Sequence, residues 1–301
     1  MPQKRTSLLL VLVLGGGALL FFVLCLLALA SFFAGDGSPA LSLSTNQVAS
    51  LELEGVISDS KDFVDELKDL GNRAGVRSVV IRINSPGGGV AASQEIFEAI
   101  RKFRAESRKK VVVSMATVAA SGGYYVACAG DKIFANPGTL TGSIGVIAEW
   151  YNYGDLLRWA KMQNVVLKSG EFKDAPSATR PLTDKERAYF QTLIDNLYGQ
   201  FISAVAGSRK MGEEDVRKLA DGRVFTGQQA KDSGLVDEIG TYQDAIAAAA
   251  RMAGIAGPPK ILSPSKKRIS LLDLVLGDSR SVLPLNPDRS ESHIRFEYLW
   301  R

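Results

Sequence analysis

The first hydrophobic feature of the chain is an unbroken apolar run near its N-terminus. No charged residue occurs between Ser7 and Gly35, and Leu, Val, Phe and Ala fill most of the run. A helix of about 20 apolar residues is long enough to cross the hydrocarbon core of a bilayer. The pattern therefore predicts one transmembrane helix over residues 7–35, with residues 1–6 as a short tip before it.

The charges of this tip predict the orientation of the helix. Lys4 and Arg5 precede the apolar run, and basic residues favour the cytoplasmic side of a membrane. We therefore expect a single-pass protein of the inner (plasma) membrane with a cytoplasmic N-terminus and an extracytoplasmic domain. A cleaved signal peptide is the alternative, although the apolar core of such a peptide is typically about 7–15 residues long.

The rest of the chain begins with a linker. After it, segments with the hydrophobic pattern of strands alternate with segments that have the pattern of helices. Residues 36–47 are rich in Gly, Ser, Pro and Asn, which predicts the linker. Short β-branched runs then alternate with segments of helical spacing, which is typical of an α/β fold with parallel strands and crossover helices. The predicted strands are Val48–Ile57, Ser78–Ile83, Val111–Met115, Lys132–Ala135 and Val165–Lys168. The predicted helices are Lys61–Asn72, Ala91–Arg104 and one that starts at Ser121.

A long helix and a polar tail follow. Thr183 and Glu186 have the spacing of a capping box, and apolar residues recur at helical spacing from Phe190 to Val205. After Pro258 the sequence is mostly Ser, Pro and charged residues. We therefore predict one folded domain over residues 48–258 and a C-terminal tail over residues 259–301, without deciding whether the tail folds against the domain.

Charge and cysteine content exclude several classes of protein. The net charge is +4, but no basic stripe is interleaved with aromatic residues, so no nucleic-acid partner is expected. The excess positive charge is better explained by attraction to membrane lipid. Cys25 lies in the apolar run and Cys128 in another apolar stretch, which predicts no intrachain disulfide and a core position for Cys128.

The position of the only histidine limits the possible chemistry. His293 lies in the predicted tail, so the folded domain has no histidine for a Ser-His-Asp triad or a zinc site. No metal or other cofactor is expected. If the chain is a hydrolase, its general base is a lysine or a carboxylate.

A glycine run follows the strand Ser78–Ile83. Three consecutive glycines, Gly87 to Gly89, can expose backbone N–H groups to an anion. Such a loop can cradle a phosphate, form an oxyanion hole, or simply make a tight turn. The run matches neither of the common nucleotide-binding glycine motifs.

Ser121 follows the strand Val111–Met115 and a run of small residues. A serine at the start of a helix can be an ordinary N-cap. The small neighbours of Ser121 would also let a substrate backbone approach it, and the N–H of Gly122 would then point toward a bound oxygen.

Three segments together resemble the signal peptide peptidase A (protease IV) family, within the Clp-protease/crotonase fold. They are Ile83–Gly88 (INSPGG), Ala119–Tyr125 (AASGGYY) and Thr141–Gly145 (TGSIG). Lys168–Asp174 is similar to the lysine segment of that family, and Asp221–Gly227 to a later landmark. The resemblance covers roughly residues 48–250 and implies a Clp-protease/crotonase-like α/β domain.

The resemblance also implies the roles of five residues. Ser121 corresponds to the nucleophile and Lys173 to the general base, since a desolvated lysine can accept the proton of a serine hydroxyl. Ser143 corresponds to the hydroxyl that orients the lysine amine, and Gly88 and Gly122 to the two backbone oxyanion donors. Lys168 competes with Lys173 for the role of base, and only the family position favours Lys173.

The implied function is that of a membrane-anchored serine endopeptidase that degrades residual signal peptides and other small peptides. Because the family includes double-length members whose serine and lysine come from different repeats, a homo-oligomer with a shared Ser121–Lys173 site is expected. A crotonase-type acyl-CoA enzyme and a catalytically inactive membrane scaffold of the same fold are the alternatives. Tyr124, Tyr125 and Asp174 are explained by core packing and surface charge.

Overall fold

The computed structural model describes residues 46–263 and 296–300. The predicted transmembrane helix over residues 7–35, the basic tip before it and His293 lie outside the described residues. Among the residues that the structure describes, no helix combines the length and the apolar character needed to cross a membrane.

Eleven strands and eight helices occur in the described residues. The strands are β1 (Gln47–Glu54), β2 (Val76–Ser85), β3 (Gly87–Gly89), β4 (Lys110–Ala120), β5 (Lys132–Ala135), β6 (Leu140–Gly142), β7 (Ile147–Ala148), β8 (Val224–Thr226), β9 (Glu238–Ile239), β10 (Lys260–Leu262) and β11 (Phe296–Leu299). The helices are α1 (Lys61–Asn72), α2 (Val90–Ser107), α3 (Gly122–Ala127), α4 (Gly154–Trp159), α5 (Asp184–Arg209), α6 (Glu213–Leu219), α7 (Gly227–Asp232) and α8 (Tyr242–Met252).

The main sheet has the strand order β10-β1-β2-β4-β5-β9, and every neighbouring pair along this path is parallel. β6 extends the sheet by pairing with the end of β4, and β8 pairs antiparallel with β6. The predicted α/β class with parallel strands is therefore confirmed. Parallel strands need long crossover connections, which the helices supply.

Both faces of the main sheet are covered by helices, which explains why its strands are apolar at successive positions. On β2, Val79 and Ile81 join one core cluster, whereas Val80 joins a second cluster that includes Ala245 and Ile246 of α8. Successive side chains of a strand point to opposite faces. A strand buried on both faces therefore has a continuous hydrophobic run rather than an alternating one.

One predicted strand is absent. Residues 165–168 lie outside the helices and strands, and every residue from 161 to 173 is exposed. The β-branched pair Val165–Val166 has the composition of a strand. Composition alone is not enough, because a strand also needs a neighbouring strand to satisfy its backbone hydrogen bonds.

A second, three-stranded sheet has the order β3-β11-β7, in which β11 pairs antiparallel with both neighbours. β10 and β11 both come from the segment predicted as a tail. β10 pairs with β1, and β11 lies against the glycine strand β3. Part of this segment is therefore folded against the domain, a point that the sequence left open.

The capping box predicted at the start of the long helix is confirmed. Thr183 is the N-cap of α5, where its hydroxyl accepts a hydrogen bond from the Glu186 N–H. The Glu186 carboxylate in turn accepts one from the Thr183 N–H at 2.9 Å. α5 is 26 residues long, and its Phe201 packs against Tyr125 of α3, the helix that follows Ser121.

Candidate active site

Ser121 lies at the sharp turn between β4 and α3. Its φ is 53° and its ψ is −117°, and its side chain makes no capping hydrogen bond although it occupies the N-cap position. A positive φ is costly for a residue with a Cβ, and such strain is often found at functional sites. Ser121 is therefore more than the ordinary N-cap that the sequence also allowed.

Two backbone hydrogen bonds hold the turn at Ser121 in place. The Ser121 N–H donates to the Gly142 carbonyl at 2.8 Å, and the Tyr125 N–H donates to the Ser121 carbonyl at 2.8 Å. Ser121 is only 1% exposed. No hydrogen bond of its hydroxyl occurs within the described ranges 46–263 and 296–300.

Gly88 and Gly122 bring two backbone N–H groups to this turn. A Cβ placed on Gly122 would lie 3.2 Å from the Gly88 nitrogen. Gly122 is the first residue of α3, and the first N–H groups of a helix have no acceptor within that helix. Two donors beside a serine hydroxyl form the arrangement that stabilises an oxyanion, so the site favours this use of the glycine run over phosphate binding.

The direction of the Gly88 N–H follows from the pairing of β3 with Ile57. The Ile57 N–H donates to the Gly87 carbonyl and the Gly89 N–H donates to the Ile57 carbonyl, both at 2.8 Å. Along a strand these groups face one side, so the N–H of Gly88 faces the other. A side chain on Gly88 would overlap the Ile57 backbone, which explains the need for glycine.

Ser143 and Ser121 lie at the ends of two neighbouring strands, β6 and β4. β4 and β6 are paired with Ala120 opposite Gly142, and Ser121 and Ser143 directly follow these two residues. Ser143 also has a positive φ, 49°, and its N–H donates to the Arg223 carbonyl at 2.9 Å. The fold therefore places the two predicted hydroxyls at neighbouring strand ends.

Lys173 is not part of this group within one chain. It lies in the exposed segment before α5, where its N–H donates to the Gly170 carbonyl at 3.2 Å. In the part of the chain that the structure describes, no hydrogen bond joins its amine to Ser121. Of the five predicted site residues, four therefore meet in one chain and the fifth does not.

The competing lysine, Lys168, is bound to a carboxylate. Its amine donates to Asp174 at 2.6 Å and to the Glu171 carbonyl at 2.8 Å. Hydrogen bonds from Arg180, and then from Lys168, lower the pKa of Asp174 to about 2. The Lys168 amine is therefore bound by two acceptors within its own segment, and this contact favours Lys173 as the proposed base.

Arg180 joins the lysine segment to α5, and the sequence analysis missed it. Its guanidinium donates to Asp174 at 2.9 Å and to the buried carboxylate of Glu186 at 2.6 Å. The hydrogen bonds from Arg180 lower the pKa of Glu186 to about 2. No local pattern signals this contact, because Arg180 lies in an irregular segment.

The other reactive or polar side chains near Ser121 have structural contacts. Burial raises the pKa of the Cys128 thiol to about 12, in agreement with the expected inert core position. The Tyr124 hydroxyl donates to the Leu235 carbonyl at 2.9 Å. Tyr125 packs against Phe97 and Phe201, with ring centroids 4.9 and 5.0 Å apart.

Comparison with known families agrees with this geometry. The sequence profile of peptidase family S49 matches residues 103–256, and that of the Clp protease family matches residues 47–140. Together the two matches cover the elements that carry Ser121, Ser143, Gly88, Gly122 and the lysine segment.

Individual relatives are similar over two thirds or more of this chain. A protein of Synechocystis sp. provisionally named as a protease is 41% identical over 225 residues, which are 74% of this chain and 80% of the relative. An Enterococcus faecium protein provisionally named signal peptide peptidase SppA is 35% identical over 67% of this chain and 62% of its own length. Protease 4 of Salmonella typhi is 37% identical over 69% of this chain but only 34% of its own length.

Proposed function

The chain belongs to peptidase family S49 and is a serine protease, and on this premise we propose that Ser121 is its nucleophile and Lys173 its general base. The observation that carries the proposal is the position of Ser121. It lies on a strained strand-to-helix turn, beside the converging N–H groups of Gly88 and Gly122. Family membership favours peptide hydrolysis over the acyl-CoA chemistry that the sequence left as an alternative.

The proposed mechanism proceeds through an acyl-enzyme. The Ser121 Oγ attacks the peptide carbonyl carbon while the neutral Lys173 amine takes the hydroxyl proton. The resulting oxyanion accepts hydrogen bonds from the N–H groups of Gly88 and Gly122. The lysine then gives its proton to the departing amine, and water hydrolyses the ester on Ser121. Ser143 would orient the lysine amine by a hydrogen bond.

The position of Lys173 supports a site shared between subunits. No hydrogen bond among the described residues joins its amine to Ser121, and the segment before it exposes large apolar side chains. Tyr151 is 81% exposed, Trp159 82% and Leu167 96%. Large apolar side chains exposed to this degree favour an interaction site. We propose that a second copy of this chain covers the segment and receives Lys173 beside its own Ser121.

The substrates that we propose are residual signal peptides and other small peptides. The apolar run over residues 7–35 would anchor the chain with its protease domain on the extracytoplasmic side. An anchor raises the local concentration of peptides left in the membrane near the site. Membrane lipid and peptides are thus the expected partners.

The test is labelling with a membrane-impermeant fluorophosphonate in intact spheroplasts. Wild-type protein should be labelled at Ser121, and Ser121→Ala should not, because the reagent reacts only with an activated serine. Ser203→Ala, at an exposed serine of α5, is the matched control and should be labelled like wild type.

Two results would change the proposal in different ways. Labelling that appears only after the spheroplasts are permeabilised would reverse the topology but keep the nucleophile. Folded wild-type protein that is never labelled, and that cleaves no peptide, would indicate the inactive scaffold instead.

A further inference from the structure

Ser93, in the first turn of α2, is a buried serine whose hydroxyl lies beside both predicted oxyanion donors. The residue is 0% exposed, and its Oγ donates to the Gly89 carbonyl at 3.0 Å. A Cβ placed on Gly122 would lie only 2.5 Å from this Oγ and 3.2 Å from the Gly88 nitrogen. The Ser93 hydroxyl therefore fills the space that a side chain on Gly122 would need, next to the Gly88 N–H.

Gly89, the residue after Gly88, is held at both of its polar groups. Its N–H donates to the Ile57 carbonyl at 2.8 Å. Its carbonyl accepts the hydrogen bond of the Ser93 hydroxyl, at the point where β3 passes into α2. These contacts fix the peptide that follows Gly88, and the same hydroxyl packs against the residue that carries the second donor.

The usual role of a serine in a helix explains only part of this arrangement. Serine hydroxyls in helices often donate to the carbonyl four residues earlier, as Ser93 does to Gly89. Such a bond does not require the hydroxyl to be buried against another element. Protein interiors are closely packed, so neighbours respond to the loss of one buried atom. Without the Ser93 hydroxyl, the N–H of Gly122 would be free to move relative to that of Gly88.

We propose that Ser93 is a positioning residue that sets the spacing of the two oxyanion donors, the N–H groups of Gly88 and Gly122. This role rests on the proposed function, since it takes those two groups as the donors. Ser93 itself does not contact the substrate. Oxyanion donors act mainly on the charge that develops in the transition state. The loss of the Ser93 hydroxyl should therefore lower kcat and leave KM almost unchanged.

The first experiment compares two inhibitors built on a peptide that the wild-type protein cleaves. One ends in an aldehyde, which adds to the Ser121 Oγ and places an oxyanion at the two donors. The other ends in the corresponding alcohol, which cannot form this adduct. Ser93→Ala should bind the aldehyde about tenfold more weakly, less than the loss expected when a donor is removed outright. It should bind the alcohol as well as wild type does.

Ser78→Ala is the matched control. Ser78 is also 0% exposed, and its hydroxyl has no hydrogen-bond partner among the residues that the structure describes. It lies near the start of β2, where it pairs with Val48 and Lys110, at the opposite end of that strand from the glycine run. The control removes the same atom from an equally buried serine. Its preference for the aldehyde over the alcohol should equal that of wild type.

A second variant and a second measurement test the role of Ser93 further. Ser93→Cys fills the same space with a weaker hydrogen-bond donor. Its preference for the aldehyde should lie between those of wild type and Ser93→Ala. In steady-state cleavage, Ser93→Ala should lower kcat by about tenfold with little change in KM. A rise in KM at an unchanged kcat would contradict the positioning role, because it would indicate a loss of substrate binding.

The outcomes distinguish the role of Ser93 from the proposed function. If wild-type protein binds the aldehyde no better than the alcohol, the assignment of Gly88 and Gly122 as oxyanion donors is wrong. If wild type prefers the aldehyde and Ser93→Ala prefers it equally, only the role of Ser93 is wrong. Equal losses in Ser93→Ala and Ser78→Ala would indicate a general effect of core packing and would also refute that role.

Discussion

At the scale of single residues, two lysines five positions apart have very different surroundings. Lys168 is bound to Asp174, whereas Lys173 has its amine on the exposed surface of the segment. A general base must bring its amine to the serine hydroxyl, and the Lys168 amine is bound to a carboxylate instead. The surroundings therefore discriminate between two residues that the sequence pattern treated alike.

Replacing each lysine by methionine should separate their roles. Lys173→Met is expected to lower kcat by about 10³-fold or more, as the loss of the proton acceptor does in other serine hydrolases. Lys168→Met is the matched control and should keep most of the activity, because Arg180 still holds Asp174. Peptide cleavage by the folded, assembled variants is the measurement.

The pH dependence of cleavage provides a second readout of the same assignment. If Lys168 takes no part in the proton transfer, the Lys168→Met variant should keep the pH profile of the wild-type rate. A larger loss in Lys168→Met than in Lys173→Met would reverse the assignment.

At the scale of elements, Arg180 connects the irregular lysine segment to the first turn of α5. It donates to Asp174 in the segment and to Glu186 in the capping box of the helix. Both carboxylates have a pKa of about 2, well below the ordinary value of about 4. They therefore stabilise the folded segment above about pH 4, and this contribution is lost as the pH falls toward 2.

The variant Arg180→Gln should loosen the lysine segment at neutral pH. Glu186 would remain buried without its cationic partner, and Lys173 would be positioned less well. We expect faster proteolysis between residues 161 and 183 and a loss of activity of about tenfold to hundredfold. The free energy of unfolding should also change less as the pH falls from about 4 to 2. The variant lacks the ion pairs of Arg180 with the two carboxylates that are protonated in this range.

Arg187→Gln is the matched control for this change. Arg187 is an exposed residue of α5 and, within residues 46–263 and 296–300, it forms no ion pair. The same loss of charge should leave both proteolysis and activity near wild type. If the two variants behave alike, the anchoring role of Arg180 is refuted.

At the scale of the whole molecule, no hydrogen bond among the described residues joins Lys173 to the other four predicted site residues. Four of the predicted site residues meet at the ends of β3, β4 and β6, while the lysine segment points its apolar residues toward solvent. In a closed ring of identical subunits joined by heterologous interfaces, Lys173 of each chain would lie beside Ser121 of a neighbouring chain. Such an assembly would also cover the exposed apolar side chains.

Complementation tests this assembly directly. Ser121→Ala and Lys173→Met chains are each expected to be inactive, but co-assembled chains should recover part of the wild-type activity. Recovery is expected because some interfaces then combine an intact Ser121 with an intact Lys173. A mixture of the two variants kept as separate oligomers is the control. No recovery in verified mixed oligomers would place the lysine and the serine in the same chain.

Much of the fold and of the candidate site can be predicted from the sequence alone, because the patterns that indicate them are local. Hydrophobic spacing predicts the α/β alternation, and the Thr183–Glu186 spacing predicts the start of α5. The single histidine lies in the predicted tail, so the sequence favours a lysine or a carboxylate as the general base. The segments around Gly88 and Ser121 are specific enough to indicate the family.

Only the tertiary structure decided the remaining features, because they depend on contacts that no regular spacing in the sequence predicts. Val165–Lys168 has the composition of a strand but gains no partner strand, so it remains irregular. The ion pair of Lys168 and the bridge through Arg180 join segments that no periodicity relates. Tyr298 lies in the segment predicted as a tail, yet it pairs with β3 and its ring packs against Tyr125 of α3 and Phe201 of α5.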